Sequence, residues 1–219
     1  MDKKYRFTGE TKNINGIIYK RIRAIRDFGN IKSGELGGWI EKEENLSHFG
    51  KCWVFTHARV CGEAIVEDDA MLCGESLVCE NAKVSGNSCI YDDVCISGHA
   101  RIGGQAKICQ NVWVKEYSTV CGNAIVCGDT IIRGVAYVCD NAYITKDEHI
   151  ISFIGVGSRK DILTAFRTND GIGISVGCFH GSLDAFLEKV EHKHGDNYFA
   201  KEYKLIAEVM KARFNNKIF

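Results

Sequence analysis

The middle of this chain repeats every six residues. Residues 55–150 divide into sixteen consecutive hexads without an insertion, and the sixth position is Val, Ile or Leu in every one. The fourth position is Ala, Ser, Thr or Val in fifteen of them, the exception being Glu148. Such self-similarity at a short fixed period is typical of a solenoid, in which each unit buries its apolar face only against the next unit.

Each hexad predicts one short strand followed by one corner. Positions four and six lie two residues apart, so in a strand both side chains point to the same face. Positions two and three are mostly Gly, Asp, Asn or Glu, and residues of this kind suit tight turns and the left-handed backbone. We therefore expect one internal column to be formed by Val66, Val84, Ile102, Val120 and Val138.

This spacing resembles the left-handed parallel β-helix of the hexapeptide-repeat superfamily, in which three hexads make one triangular turn. The resemblance implies a mainly β fold with about five turns over residues 55–150. A right-handed β-solenoid or a short-stranded sandwich is the alternative, but the turns of a sandwich vary in length and do not repeat at six residues.

The segments on either side of the repeat have different patterns. Residues 1–54 contain two strand-like runs around residues 13–16, which predicts an N-terminal β-hairpin cap over the open edge of the coil. Trp39 and Trp53 would add an apolar plug at the first turn. Residues 151–219 predict a small α+β domain.

Within that C-terminal domain, residues 161–168 and 173–179 read as two strands joined by a turn. Two amphipathic helices follow, the first capped by Ser182 and ended by Gly195, as helix-start and helix-stop signals predict. The expected order is therefore two strands and then two helices.

A second resemblance rests on residues 23–28, 37–39 and 50–54, which are similar to the start of bacterial YdcK-type β-helix proteins. The likeness covers roughly residues 20–150. The C-terminal part resembles a small domain that follows such helices in phage and prophage proteins. Neither group implies an established activity.

One outer face of the predicted coil is nearly all apolar, and a second is mixed but contains Trp113. Exposed apolar patches usually mark a partner surface. The superfamily resemblance implies a homotrimer, and the C-terminal domain is the alternative cover. The residues expected at the interface are Met71, Leu77, Tyr91, Trp113, Ile125, Ile131 and Tyr143.

Charge and composition exclude several classes of protein. Twenty-eight basic residues balance twenty-eight acidic ones, so no global field favours nucleic acid or anionic lipid. The chain shows neither a signal peptide nor an apolar run of membrane-spanning length, which predicts a cytoplasmic protein without membrane contact. The eleven cysteines are an odd number and are expected to be free thiols.

Some of these cysteines stack in consecutive turns, as the pairs Cys61/Cys79, Cys109/Cys127 and Cys121/Cys139. A redox role is one interpretation of these ladders. Because adjacent strands place Cβ atoms slightly beyond disulfide range, structural thiols are the favoured interpretation.

Enzymes of the superfamily transfer acyl groups, and the resemblance implies a histidine base, a coenzyme A or acyl-carrier pocket and a loop that protrudes from the coil. Here no loop interrupts the hexads, and His57, His99 and His149 lie in the first, eighth and sixteenth. They are too dispersed for a three-histidine zinc site. We expect no catalytic residue, metal or cofactor, and an acyltransferase using His57 or His99 remains the alternative.

The C-terminal domain holds a tighter group of Cys178, His180, His192, His194 and Asp196. Such a group could pair a thiolate with an imidazole or hold a metal, although a buried structural thiol is the simpler interpretation. The glycine-rich residues 155–158 and 171–173 are weak phosphate-loop candidates. The expected ligand site, for an anionic molecule where this domain meets the coil, comprises Arg159, Lys160, Arg167, Cys178, His180 and His194.

These observations predict a non-catalytic binding or scaffold protein. The β-helix would serve as a rigid stem and the C-terminal domain as the recognition or assembly module. The phage resemblance implies a possible anti-defence role through binding of a host protein or a nucleotide signal. The expected partners are further copies of the chain and a host protein or small anionic ligand, and strong nucleic-acid binding is not expected.

Overall fold

A computed structural model describes residues 2–215 of the chain. Met1 and residues 216–219, which the predicted outer segments include, lie outside the described residues. The chain begins with β1 (Tyr5–Ile14) and β2 (Ile17–Ala24), an antiparallel hairpin whose turn residues Asn15 and Gly16 have positive φ. The predicted N-terminal hairpin is confirmed.

The repeats form a run of two-residue strands. Each strand occupies positions five and six of a hexad, except the first, which precedes the repeats. After β3 (Leu36–Ile40), the strands are β4 (Trp53–Val54), β5 (Arg59–Val60), β6 (Ile65–Val66), β7 (Met71–Leu72), β8 (Leu77–Val78), β9 (Lys83–Val84), β10 (Cys89–Ile90), β11 (Cys95–Ile96), β12 (Arg101–Ile102), β13 (Lys107–Ile108), β14 (Trp113–Val114), β15 (Thr119–Val120), β16 (Ile125–Val126), β17 (Ile131–Ile132), β18 (Tyr137–Val138) and β19 (Tyr143–Ile144).

These strands stack in parallel into the three walls of a β-solenoid, and the predicted mainly β fold class is confirmed. One wall is β6-β9-β12-β15-β18, and a second is β4-β7-β10-β13-β16-β19. The third continues the N-terminal hairpin as β1-β2-β3-β5-β8-β11-β14-β17. Val120 pairs with Ile102 on one side and Val138 on the other, as the internal column requires.

The corners of the coil explain the polar positions of the repeat. Position two has a positive φ in fourteen successive hexads, from Gly62 to Asp140. Up to Glu116, where this residue carries a side-chain oxygen acceptor, it receives the backbone N–H one turn further on, as Glu80 does from Gly98 at 2.6 Å. The same bond recurs at Asp68, Asp92, Gln110 and Glu116. The side-chain bond satisfies a corner donor that the wall hydrogen bonds leave free.

The solenoid has about six turns rather than the expected five. The additional turn lies upstream of the repeats, where Ile40 pairs with Val60 and Leu46 forms a bridge with Val66. Leu46 and the next strand-end residue, Val54, are eight positions apart in place of six, so the six-residue period does not reveal this turn. The last hexad leaves the coil, because residues Asp147–His149 form a 3-10 turn and Glu148 would otherwise point inward.

Both ends of the coil are covered. At the N-terminal end Tyr5, Ile22, Phe28 and Trp53 join the coil core. At the other end the core is completed by Phe166 from the C-terminal domain. Covering both edges removes the unpaired strand surfaces that would otherwise promote polymerisation.

The C-terminal domain is an antiparallel sheet with two helices packed on one face. Its strands are β20 (Ile150–Val156), β21 (Asp161–Thr168), β22 (Gly171–Val176) and β23 (Phe179–Ser182), paired in that order. The helices are α1 (Leu183–His194) and α2 (Tyr198–Asn215). No helix in residues 2–215 is long and apolar enough to cross a membrane.

The sheet therefore has four strands where the sequence predicted two. The outer strands β20 and β23 each contain a glycine, Gly155 and Gly181, and neither shows a clear alternation of its own. The predicted helix boundaries are confirmed at Ser182, whose Oγ accepts the N–H of Ala185 at 3.2 Å, and at Gly195.

Candidate functional site

A cavity of about 350 Å³ lies inside the C-terminal domain. Its walls are the β20–β21 turn, the β22–β23 turn, helix α1 and the start of α2. This volume lies at the lower end of the range of small-molecule sites. The lining residues are Ser158, Arg159, Asp161, Val176, Gly177, Cys178, Phe179, Phe186, Lys189, Val190, Lys193, His194 and Tyr203.

The floor of the cavity is apolar and aromatic. The rings of Phe179 and Phe186 are 5.7 Å apart, and Phe186 meets Tyr203 edge to face at 5.3 Å. Burial, with Asp161 and Glu202 nearby, raises the pKa of Tyr203, so its hydroxyl stays neutral at physiological pH. The floor can therefore pack against a flat apolar group and offers one neutral hydroxyl.

The rim of the cavity is cationic. Arg159 lies in the β20–β21 turn, whereas Lys189 and Lys193 are one helical turn apart on α1. None of these three side chains forms an ion pair with another residue in the part of the chain that the structure describes. Lys189 Nζ instead lies 5.2 Å from the ring centroid of Phe179. Asp161 is the acidic residue in the lining, so positive charge predominates.

The turn that carries Arg159 is held by the chain itself. Gly157 has φ 68°, and its N–H donates to Glu202 Oε2 on α2 at 2.9 Å. Lys160 closes the turn with a backbone bond to the Gly157 carbonyl at 3.2 Å. Because the Gly157 N–H is already occupied and no helix begins here, residues 155–158 do not form a phosphate cradle. Residues 171–173 likewise belong to strand β22.

The structure divides the six predicted ligand residues into three groups. Arg159, Cys178 and His194 line the cavity. Lys160 is an exposed turn residue next to it. Arg167 and His180 lie elsewhere, so the cavity is built within the C-terminal domain and not where that domain meets the coil.

His180 belongs to the junction with the coil. Its ring stacks on Tyr137 with centroids 5.1 Å apart, and its Nδ1 is 3.6 Å from Cys139 Sγ. Burial and the neighbouring Asp140 carboxylate raise the pKa of Cys139, so this thiol stays protonated. The pair is suited to holding the domain on the coil and not to nucleophilic attack.

The other cysteines and histidines that the sequence analysis singled out do not come together in one site. Cys178 is exposed, and no group of three or more His, Cys, Asp or Glu side chains within residues 2–215 is arranged to hold a metal ion. The coil histidines lie apart: His57 faces Glu75 at 3.7 Å, and His99 stacks on Tyr117 at 4.8 Å. His149 Nδ1 accepts the Thr145 N–H at 3.1 Å.

Sequence reasoning missed Lys189, Lys193 and Tyr203. A signal for the two lysines was present, because they are four residues apart and border the apolar stripe of α1 that contains Phe186 and Val190. Residues at this spacing lie on one side of a helix. The periodicity does not show which neighbour this side of the helix faces, because that depends on how the helix packs.

The predicted interface residues lie on two outer walls of the coil. Tyr143, Ile125 and Met71 are on the six-stranded wall, and Leu77, Trp113 and Ile131 are on the eight-stranded wall. Tyr91 follows β10 of the six-stranded wall and is exposed. Trp113 is the most exposed of the set at 49%, which is a large apolar area for an outward strand position.

Part of the chain is similar to a bacterial protein of known sequence. No family model matches the chain. A stretch of 63 residues is 33% identical to the uncharacterized acetyltransferase YdcK of Escherichia coli strain K12, covering 28% of this chain and 18% of that protein. Together with the solenoid, this likeness agrees with a hexapeptide-repeat β-helix. The resemblance of the C-terminal domain to phage proteins stays a prediction.

Proposed function

We propose that the chain is a non-catalytic binding protein, in which the solenoid is a stem and the C-terminal cavity binds a small anionic ligand of the nucleotide class. The main support is the cationic rim of Arg159, Lys189 and Lys193, which form no ion pair within residues 2–215 and lie above an aromatic floor. Phosphate groups pair well with Arg and Lys. A base would pack on the floor, where Phe179, Phe186 and Tyr203 supply flat apolar surface.

The first prediction concerns this cavity. We expect isothermal titration of the full chain with cyclic and linear nucleotides to detect binding that Arg159→Ala weakens about tenfold or more, because a hydrogen bond to a charged group contributes about 1.5–3 kcal/mol. Arg167→Ala is the matched control, since Arg167 is exposed on β21 and outside the cavity lining. Equal loss in both variants, or no nucleotide binding, would contradict the proposal.

Acyl transfer is the competing function, and the similarity to a protein named as an acetyltransferase favours it. Against it, strands follow one another at six-residue intervals from β4 to β19, so no loop leaves this part of the coil to build an acyl-donor pocket. Titration with coenzyme A separates the two functions. Coenzyme A binding that is lost on His99→Ala would support the enzyme.

We further propose that copies of the chain associate through the apolar outer walls, most simply as a homotrimer. The second prediction is that Trp113→Glu and Ile125→Glu lower the mass measured by light scattering, because a charge would be buried at the interface. Lys83→Glu, on the five-stranded wall, should leave the mass unchanged. An unchanged mass and unchanged stability in both apolar variants would exclude these walls as the interface.

A further inference from the structure

Three cysteines from consecutive turns meet on the outer face of the eight-stranded wall. Cys61 follows β5, Cys79 follows β8, and Cys95 lies in β11. These three strands are neighbours in one wall, with Arg59 opposite Leu77 and Leu77 opposite Cys95. We name Cys61, Cys79 and Cys95 the thiol cluster. Cys61 is 3% exposed, whereas the other two are half-buried, so the cluster reaches solvent through Cys79 and Cys95.

A hydrogen bond ties the cluster to the N-terminal hairpin, where Tyr19 donates its hydroxyl to Cys61 Sγ at 3.1 Å. Cys79 lies one turn from Cys61, and the β8–β11 pairing places Cys95 diagonally across from Cys79. Cys79 therefore occupies the centre of the group.

A cation lies beside these sulfurs. The positive charge of Arg59 acts on Cys61, Cys95 and Tyr19. Arg59 Nε is buried without a hydrogen-bond partner in the described part of the chain. The opposing charges are Glu41, which faces Cys61, and Glu80, which faces Cys95.

These contacts favour a thiolate at Cys61. The neighbouring Cys79 thiol and the Tyr19 hydroxyl lower the pKa of Cys61, against the opposite effect of burial. A thiol of ordinary pKa is only a few per cent ionised at neutral pH, so Cys61 holds more thiolate than an ordinary cysteine. The neighbouring Cys61 and Cys95 raise the pKa of Cys79.

The other two ladders lack this environment. Burial and then Cys127 raise the pKa of Cys109. Burial and Asp140 raise the pKa of Cys139. Both ladders have the same one-turn spacing as Cys61/Cys79, so they are internal controls that keep the geometry but lack Tyr19 and Arg59.

We propose that the thiol cluster is a site of reversible peroxide oxidation, at which Cys61 reacts first and Cys79 resolves the product as a disulfide. The Cys61 thiolate sulfur attacks one oxygen of hydrogen peroxide, the O–O bond breaks, and the departing hydroxide takes up a proton to become water. Sulfur is oxidised by two electrons to a sulfenic acid while the peroxide is reduced.

In the second step the Cys79 sulfur attacks the Cys61 sulfur, the S–S bond forms and the S–O bond breaks. The hydroxyl leaves with the Cys79 proton as a second water. Overall two thiols and one peroxide give one disulfide and two waters. Adjacent strands about 4.8 Å apart place the Cα atoms within disulfide range but the Cβ atoms slightly beyond it. The strained bridge is expected to be easily reduced by a thiol such as glutathione.

The third prediction tests this site in the full reduced chain at pH 7. After brief exposure to hydrogen peroxide, free thiols are alkylated and peptides are mapped by mass spectrometry. We expect a Cys61–Cys79 cross-linked peptide, lighter by two hydrogens and reversed by glutathione, to form about tenfold faster than any product of Cys109/Cys127 or Cys121/Cys139.

Two variants test whether the contacts of Cys61, and not only its closeness to Cys79, make it reactive. Tyr19→Phe removes one donor to Cys61 and should slow the cross-link at least threefold. Tyr137→Phe is the matched control, because Tyr137 Oη accepts from Cys121 Sγ at 3.4 Å in another ladder. Oxidation of all three ladders at one rate, or absence of the cross-link in the unmodified chain, would overturn the proposal even if a variant failed to fold.

Discussion

Replacing Val120 with aspartate is expected to abolish soluble folding of the chain. Val120 is completely buried, between Ile102 and Val138 in adjacent turns. A carboxylate there would find no polar partner, and burying an unpaired charge costs several kcal/mol or more. This is comparable with the whole stability of a typical domain, about 5–15 kcal/mol.

The adjacent residue provides the control for this experiment. Thr119 lies in the same strand, β15, but points outward and is half-buried. Thr119→Asp should therefore remain soluble and keep a circular dichroism melt close to that of the parent. If Val120→Asp also melts like the parent, the inward register of the solenoid is wrong.

The second large effect is expected at Asn45, a fully buried residue of the first turn. Its Nδ2 donates to the carbonyls of Gly62 at 3.0 Å and Ala64 at 2.8 Å, and its Oδ1 accepts the Lys42 N–H at 2.9 Å. Asn45→Leu would leave three backbone groups without this partner. Each unsatisfied buried group costs about 1–3 kcal/mol, so we expect a melting temperature lower by roughly 6–12 °C or more.

Asn111→Leu is the comparison for that substitution. Asn111 is exposed and its side-chain amide donates to Asp129 Oδ1 at 2.8 Å. Surface changes of this kind usually alter stability by less than about 0.5 kcal/mol. Similar melting temperatures for the two variants would show that the side-chain bonds of Asn45 do not hold the first turn.

The first turn also shows where sequence prediction reached its limit. From Arg59 to Ile144 every strand lies where the hexad pattern puts it, because the period and the alternation are local properties. The first turn lies upstream of the repeats, and the side chain of Asn45 bonds it to the next turn. A side-chain contact of this kind leaves no periodic signal, so the sequence predicted about five turns where the structure has about six.

The candidate site was accessible to sequence reasoning only in part. Arg159, Cys178 and His194 were predicted, and they line one cavity with Lys189 and Lys193. Arg167 and His180 are close to these residues along the chain but lie elsewhere. Proximity in sequence therefore did not decide which residues line the cavity, because an antiparallel sheet places consecutive residues on opposite faces and at opposite strand ends.

The sequence by itself determined the solenoid, its internal column and the composition of its corners, since each six-residue unit repeats the same local conformation. It also placed Cys61 next to Cys79, one turn apart. Only the tertiary structure decided that Tyr19 and Arg59 meet this pair and that the Arg159 turn faces helix α1. These contacts join segments that are far apart in sequence and follow no repeat, so they depend on how the hairpin and the helices pack.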